Sequence, residues 1–333
     1  MNFIDWENTE VLITGGTGSL GKTITRLLLE KYKPKGIRIF SRDELKQWNF
    51  KNELEKDGYS KNISWMLGDV RDKDRIDRAL HNVNLVFNTA AMKQVPACEY
   101  NPFEAVATNI NGAKNIIDGA IDNKVNLVMH VSTDKAVYPV NLYGATKTVA
   151  EKLFLHGNVY TGGHSTKFSV CRYGNVIGSR GSIIPLFLEQ GKKGEVTLTD
   201  SRMTRFWITL NEVANFIIEK AMITKGNELF IPIMPSIRII DLIDAMLPFP
   251  FFEKDKEPIK IKEIGIRKGE KLHECLMTYE ESYFSSLEND ALVIRPDGNM
   301  NGVSFMYSSD KNKFLFVKEI KELIKPFMEG QYV

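Results

Sequence analysis

The chain has 333 residues, of which 43% are apolar and 26% charged, with a formal net charge of +2. That length supports a large core and two lobes around one cleft, and the near-neutral balance excludes a general affinity for nucleic acid or an acidic membrane surface. Three scattered cysteines (Cys98, Cys171, Cys275) and five histidines (His81, His130, His156, His164, His273) lack metal-ligand spacing, so reduced thiols, no metal and a cytoplasmic setting are expected.

The opening stretch MNFIDWENTE has neither a basic segment nor a long apolar run, so no signal peptide is expected. No window reaches the ~20 apolar residues of a membrane helix. Short β-branched runs then alternate with amphipathic segments. EVLITG (10–15) precedes a helix from Ser19, GIRIFS (36–41) precedes DELKQWNFKNELEK, and ISWMLGD (63–69) precedes RDKDRIDRALH. LVFNTAA (85–91) precedes a long helix from about Pro102 to Asp122, NLVMHVST (126–133) precedes a helix near Asn141, and KFSVCRYGN (167–175) follows. This rhythm predicts an α/β, Rossmann-like, doubly wound parallel sheet with helices on both faces. After residue 176 the rhythm breaks into EVTLTD (195–200), TLNEVANFIIEKAMI (209–223), ELFIPI (228–233) and IKIKEIG (259–265). Residues 1–176 are thus expected to form a dinucleotide-binding domain carrying the catalytic residues. Residues 177–333 are expected to form mainly a smaller substrate lobe, with segments that can cross back.

VLITGGTGSLGKT, from Val11 to Thr23, has two readings. Gly16 to Thr23 fits a P-loop, G-x-x-x-x-G-K-[ST]. Gly15, Gly18 and Gly21 also fit a dinucleotide turn formed with Thr17, Ser19 and Leu20. Either reading puts phosphate on backbone N–H groups at a helix N-terminus. The P-loop needs a metal-holding carboxylate after a later apolar strand, and neither Asp69 nor Asp134 follows a clean one. The dinucleotide turn needs a ribose-reading group at the end of the second strand. Ser41 and Arg42 stand there, with Lys46 one turn on. That set suits a 2′-phosphate and so NADP, although Asp43 could reach a 2′-hydroxyl. Asp69 and Val70 fall near the adenine, and Thr89, Ala90 and Lys93 follow the fourth strand.

HVSTDKAVYPVNLYGATK, residues 130–147, carries the chemistry. Tyr143 and Lys147 are four apart, so they share a helix face. A lysine beside the Tyr143 hydroxyl would lower its pKa towards neutrality, letting it take an alcohol proton as hydride leaves the carbon. Thr133, at a strand end, can hold the same oxygen. Glycine turn, strand-end threonine and Y-x-x-x-K in this order resemble the extended short-chain dehydrogenase/reductase superfamily, and they decide against the P-loop.

The segments SRDELKQ, GDVRD, AAMKQVPACEYNP, NLYGATK, RYGNVIGSRGS, MTRFWIT and IRKGEKLHE narrow the resemblance. Together they are similar to the soluble UDP-N-acetylglucosamine 4,6-dehydratases that invert C5. The resemblance implies catalytic Thr133, Asp134, Lys135, Tyr143 and Lys147, with Tyr143 and Lys147 also on the cofactor. Lys135, partly neutral near other cations, would remove the C5 proton, and protonated Asp134 would serve the departing C6 hydroxyl. Lys93, Asn175, Arg180, Thr199, Arg205, Arg267 and Glu270 would line the UDP-sugar groove. A homo-oligomer, from dimer to hexamer, is implied. Surface-polysaccharide or flagellin-sugar synthesis is the implied context. A nucleotide-sugar 4- or 5-epimerase on the same scaffold, or a non-catalytic NADP sensor, are the alternatives.

Overall fold

The apolar runs of the first half form the centre of one nine-stranded sheet. The computed structural model describes residues 4–163, 165–179, 182–247, 259–295, 298, 300 and 304–328. The strands before residue 174 are β1 (Glu10–Thr14), β2 (Gly36–Ser41), β3 (Ile63–Leu67), β4 (Leu85–Asn88), β5 (Leu127–Thr133) and β6 (Lys167–Tyr173). Those after it are β7 (Asn175–Val176), β8 (Glu195–Leu198), β9 (Thr204–Ile208), β10 (Leu229–Pro232), β11 (Ser236–Arg238) and β12 (Lys260–Glu263). β13 (Cys275–Met277), β14 (Ser285–Glu288), β15 (Ala291–Ile294) and β16 (Tyr307–Ser308) complete the set among the described residues.

The large sheet runs β14-β15-β10-β6-β5-β4-β1-β2-β3. Pairings from β3 across to β10 are parallel, and β15 and β14 add antiparallel at the far edge. Every residue of β4 and β5 is buried. Such continuous burial, without alternation, is what a parallel sheet covered on both faces requires.

The helices up to residue 223 are α1 (Ser19–Leu27), α2 (Glu44–Lys56), α3 (Lys73–Leu80), α4 (Val95–Tyr100), α5 (Pro102–Val106), α6 (Gly112–Asp122), α7 (Leu142–Gly157), α8 (Ile183–Gly191), which packs on β8, and α9 (Leu210–Ile223). α3, α6 and α7 pack in succession, and α1 packs on α9. The fold is the expected Rossmann-like α/β class. Two details differ from the sequence reading. The helix expected over 102–122 is interrupted by a π turn, Ala107–Asn111. The strand expected over 85–91 stops at Asn88, because Thr89 leaves the ladder and donates its hydroxyl to Thr14 O at 2.7 Å.

A second core holds Ile177, Phe187, Trp207, Leu242 and Ile324. Around it lie the sheet β11-β9-β7 and the pair β12-β8. β10, β14 and β15 come from the same half of the chain yet join the large sheet, so the chain passes between the two cores more than once. Among the described residues, no helix is long and apolar enough to cross a membrane.

Candidate active site

β4 lies beside β1, whereas β2 and β3 extend the sheet the other way. Open α/β sheets take their ligands beyond the strand ends where this order reverses. The glycine turn leaves β1 at that point. Gly15 has φ +64°, and a Cβ there would meet Ala90 N at 2.9 Å. Glycine alone therefore lets β1 exit this close to the end of β4. At Gly21 a Cβ would fall 2.6 Å from Gly16 Cα, so its absence seats α1 on the turn. Gly18 caps α1 without a side-chain bond and donates its N–H to Gly15 O at 2.8 Å. Thr17 is buried in this turn, and Leu20 packs on the main core. Ser19 begins the helix.

Lys22, the lysine of the P-loop reading, points elsewhere. Its ammonium pairs with Glu53 of α2 at 2.8 Å and lies over the Phe50 ring. Thr23 donates to Ser19 O within the helix.

The residues expected to read the ribose stand at the end of β2. Ser41 is buried and accepts from Gln47 Nε2 at 3.1 Å. Arg42 is half exposed and approaches Asp69 at 3.4 Å. Asp43 caps α2 by accepting from Lys46 N–H at 3.0 Å and pairs with Lys46 Nζ at 2.8 Å. These Lys46 contacts hold the Asp43 carboxyl below its ordinary range. Asp69 also pairs with Arg71 at 2.6 Å. Val70 is buried against Gly112. Ala90 N–H donates to Thr14 Oγ1 at 3.3 Å.

The run expected to carry the chemistry follows β5. Thr133 is its last residue, and Asp134–Ala136 form one 3-10 turn. That tight turn lets adjacent side chains meet. Asp134 Oδ1 accepts from Thr133 Oγ1 and from Lys135 Nζ, each at 2.9 Å. Asn141 caps α7 by accepting from Gly144 N–H at 2.8 Å, placing Tyr143 and Lys147 on its first turns. Thr133 lies beside the Tyr143 hydroxyl and favours its ionised form. Thr133, Asp134, Tyr143 and Lys147 are all buried.

Two electrostatic expectations are corrected. Burial pushes the Tyr143 hydroxyl up to about 12, against the lowering effects of Lys135 and Thr133. The i,i+4 spacing puts Lys147 on the same face, but its amine bonds Val131 O at 2.6 Å and His130 Nε2 at 2.9 Å. The cation that acts most on Tyr143 is Lys135. The second correction concerns Lys135 itself, expected to be partly neutral. Burial and Arg205 act to neutralise it, but Asp134 and Glu274, the latter at 3.6 Å, hold it well above its ordinary value. Asp134 is raised by burial and by Glu274, against the pull of Lys135. Burial lowers Lys147 to about 8, although Glu151 favours its charge.

Among the groove residues, Lys93 is held below its ordinary value by desolvation and by the neighbouring Lys135 charge. Arg205 is buried, and its guanidinium donates to Thr204 O, Leu272 O and Lys271 O. It anchors the 267–274 segment rather than standing open as the expected diphosphate clamp. Arg267 is half exposed and 3.8 Å from Glu270. Thr199 is half-buried after β8, and Asn175 opens β7. Arg180 lies outside the described residues. Asp134 Oδ2, Asn175 Oδ1 and Glu270 Oε2 are buried with no hydrogen-bond partner, an unfilled demand for donors.

Sequence reasoning missed Glu274 and Lys271, which pair at 3.3 Å beside Lys135. Both stand in the IRKGEKLHE segment, but nothing in the spacing directs them at Lys135. It also passed over His130, although a histidine within an all-apolar strand demands a partner.

The profile of a family described as polysaccharide biosynthesis protein matches residues 11–296. A UDP-N-acetylglucosamine 4,6-dehydratase (inverting) of Campylobacter jejuni is 45% identical over 336 residues, covering 94% of this chain and 96% of the relative. A UDP-glucose 4-epimerase of Rickettsia canadensis is 38% identical over 331 residues, covering 94% of each. The solved structure of Pen from Bacillus thuringiensis superposes with a TM-score of 0.90 at 42% identity, covering 97% of this chain and 99% of that one.

Proposed function

The chain belongs to the polysaccharide biosynthesis protein family, an extended short-chain dehydrogenase/reductase group, and from that premise we propose that it is an NADP-dependent UDP-N-acetylglucosamine 4,6-dehydratase that inverts C5. One observation carries the reading. The Asp134–Lys135 pair shares a single turn with Thr133, which lies beside the Tyr143 hydroxyl. Oxidation of an alcohol needs the Thr133/Tyr143 set, and elimination also needs an acid and a base beside it.

The glycine turn fits a dinucleotide. A Cβ at Gly15 or Gly21 would fill the turn, and the α1 N-terminus carries no capping side chain. Gly15, Thr17, Gly18, Ser19, Leu20 and Gly21 would hold the pyrophosphate, and Asp69, Val70, Thr89 and Ala90 the adenosine side. Arg42, with Ser41 and Lys46, supports NADP over NAD through a 2′-phosphate contact, whereas Asp43 is already engaged by Lys46. Lys147 and Tyr143 would contact the nicotinamide ribose. When bound, NADP accepts hydride from C4 and returns it to C6.

Tyr143 takes the C4 hydroxyl proton while Thr133 holds the oxygen. The resulting 4-ketone acidifies C5–H. Lys135 removes that proton after passing its own to Asp134 across 2.9 Å, a transfer that the raised Asp134 carboxyl assists and the raised Lys135 ammonium opposes. Asp134 then protonates the C6 hydroxyl as it leaves as water. A proton returned to the opposite face of C5 completes the inversion. Lys93, Asn175, Thr199, Arg267 and Glu270 would line the sugar and diphosphate, and the unpartnered Asn175 and Glu270 oxygens would supply acceptors for its hydroxyl and amide groups.

The 38%-identical epimerase relative favours one other reading, a nucleotide-sugar epimerase. It would use Thr133, Tyr143 and Lys147 but lose no water. Incubation with UDP-N-acetylglucosamine and NADP in D2O separates the two. A 4-keto product lighter by one water, with deuterium at C5, supports dehydration; a product of unchanged mass rejects it. Our reading also includes a cytoplasmic homo-oligomer serving surface-glycan synthesis. The exposed Tyr100 and Phe103 at the α4–α5 junction offer apolar surface for subunit packing.

A further inference from the structure

A buried chain of side chains runs beneath the strand ends from the glycine turn to Lys147. Thr14 Oγ1 lies 2.6 Å from Asn88 Oδ1, and Asn88 Nδ2 lies 2.9 Å from His130 Nδ1. His130 Nε2 lies 2.9 Å from Lys147 Nζ. All four residues are at most 3% exposed. The His130 ring stacks on Phe154 with centroids 4.2 Å apart, which fixes its plane.

Donor accounting allows this chain two directions. In one, Thr14 donates to the Asn88 carbonyl, the Asn88 amide donates to His130 Nδ1, and His130 Nε2–H donates to a neutral Lys147. In the other, the Lys147 ammonium donates to His130 Nε2, His130 Nδ1–H donates to a turned Asn88 carbonyl, and the Asn88 amide donates to Thr14. The ammonium state of Lys147 thus requires the second direction, and only the neutral amine admits the first. In both, Lys147 keeps its bond to Val131 O.

We propose that His130 is a positioning residue that holds the Lys147 amine and sets its charge by reversing a hydrogen-bonded chain anchored at Thr14. The proposal rests on the reading of Lys147 as the amine paired with Tyr143 in C4 oxidation. Burial brings Lys147 to about 8, and burial together with the Lys147 charge keeps His130 neutral, so both directions are populated near that pH. The other ionisable groups around Lys147 are few. Glu151 lies one turn on along α7, bound by Arg172 of β6 at 2.7 Å. His130 of β5 lies against the Lys147 amine, and Glu151 acts on that amine through charge. The π turn presents neutral Asn109, bonded to Thr146.

The test is a carbon-13 NMR titration of lysine ε-carbons in the cofactor-free protein, with Lys147 assigned by Lys147→Arg. His130→Phe keeps the stacked ring but removes the acceptor, so the Lys147 titration should fall by about one pH unit. The alkaline limb of the dehydration rate should fall with it. His130→Gln restores an acceptor and should recover most of the shift. Thr14→Val, at the far end, should move Lys147 the same way by less, and it carries the test if His130→Phe fails to fold. Titration at the wild-type pH in folded His130→Phe, or in Thr14→Val, overturns the proposal. A shifted titration in a protein that loses no water from UDP-N-acetylglucosamine leaves this inference standing and rejects the proposed activity.

Discussion

The Lys135 ammonium lies 2.9 Å from Asp134 Oδ1, its neighbour in sequence. Adjacent side chains rarely meet in a strand or helix, where they diverge; here the 3-10 turn after β5 folds them together. The pair can exchange one proton without moving. We expect Asp134→Asn and Lys135→Ala each to lower water loss by about 10²- to 10⁴-fold, the usual range for a general acid or base. Cofactor affinity should stay within about twofold, because neither residue belongs to the glycine turn. Product mass and a cofactor-binding titration check both halves. Wild-type dehydration in both variants would remove the assigned roles.

Glu274 sets how hard it is to make Lys135 neutral. Its carboxylate raises Lys135, and a base must first lose its proton, so Glu274 opposes base action at low pH. Glu274→Gln removes that charge, which lowers the Lys135 pKa. The acid limb of C5–H exchange should therefore move to lower pH, by about one unit. Deuterium incorporation at C5 followed against pH reads this directly. A limb that stays in place means that Glu274 acts only through Lys271 and Arg205.

The parts of the site that lie close together in sequence were the legible ones. The apolar run 126–133 ends at Thr133 because the strand ends there, and the Tyr143–Lys147 spacing follows from helix geometry. Where the Lys147 amine points was not legible, since spacing selects a helix face but not the partner at the end of a long side chain. His130 and Val131 capture it from β5. The contact between Glu274 and Lys135 joins distant parts of the chain, and no periodicity encodes it. The same holds for β14 and β15. Their short runs could have joined either core, and only the open edge of β10 assigned them to the large sheet.

Lys22 tests the discarded phosphate reading. Its pair with Glu53 is partly exposed and contributes at most about 1 kcal/mol. Lys22→Ala should leave NADP affinity within about twofold and lower stability only slightly. Calorimetric titration with NADP and a thermal melt are sufficient. A large loss of cofactor binding would mean that Lys22 leaves Glu53 to reach phosphate.

In the proposed reading, Arg42 carries the NADP preference. It is half exposed at the end of β2, with Asp69 as a loose partner at 3.4 Å. A 2′-phosphate would compete for it with a stronger, bidentate bond. Arg42→Ala should weaken NADP by about tenfold or more and change NAD affinity by less than about twofold. Equal losses for both dinucleotides would place Arg42 on the adenine instead.

Lys147 makes stability depend on pH. Burial lowers it from its ordinary value to about 8, so the unfolded chain holds that proton more tightly than the folded one. Between about 8 and about 10.5 the unfolded state binds more protons, and this group's contribution to stability rises with pH through that window. Below about 8 both states are protonated and the penalty is constant. Lys147→Met removes the buried charge, so the variant should gain most, relative to wild type, near neutral pH. That difference should shrink by a few kcal/mol as the pH approaches about 10.5. Urea midpoints of both proteins at about pH 7 and about pH 10 measure it. A difference that does not change with pH would mean that Lys147 titrates at its ordinary value despite its burial.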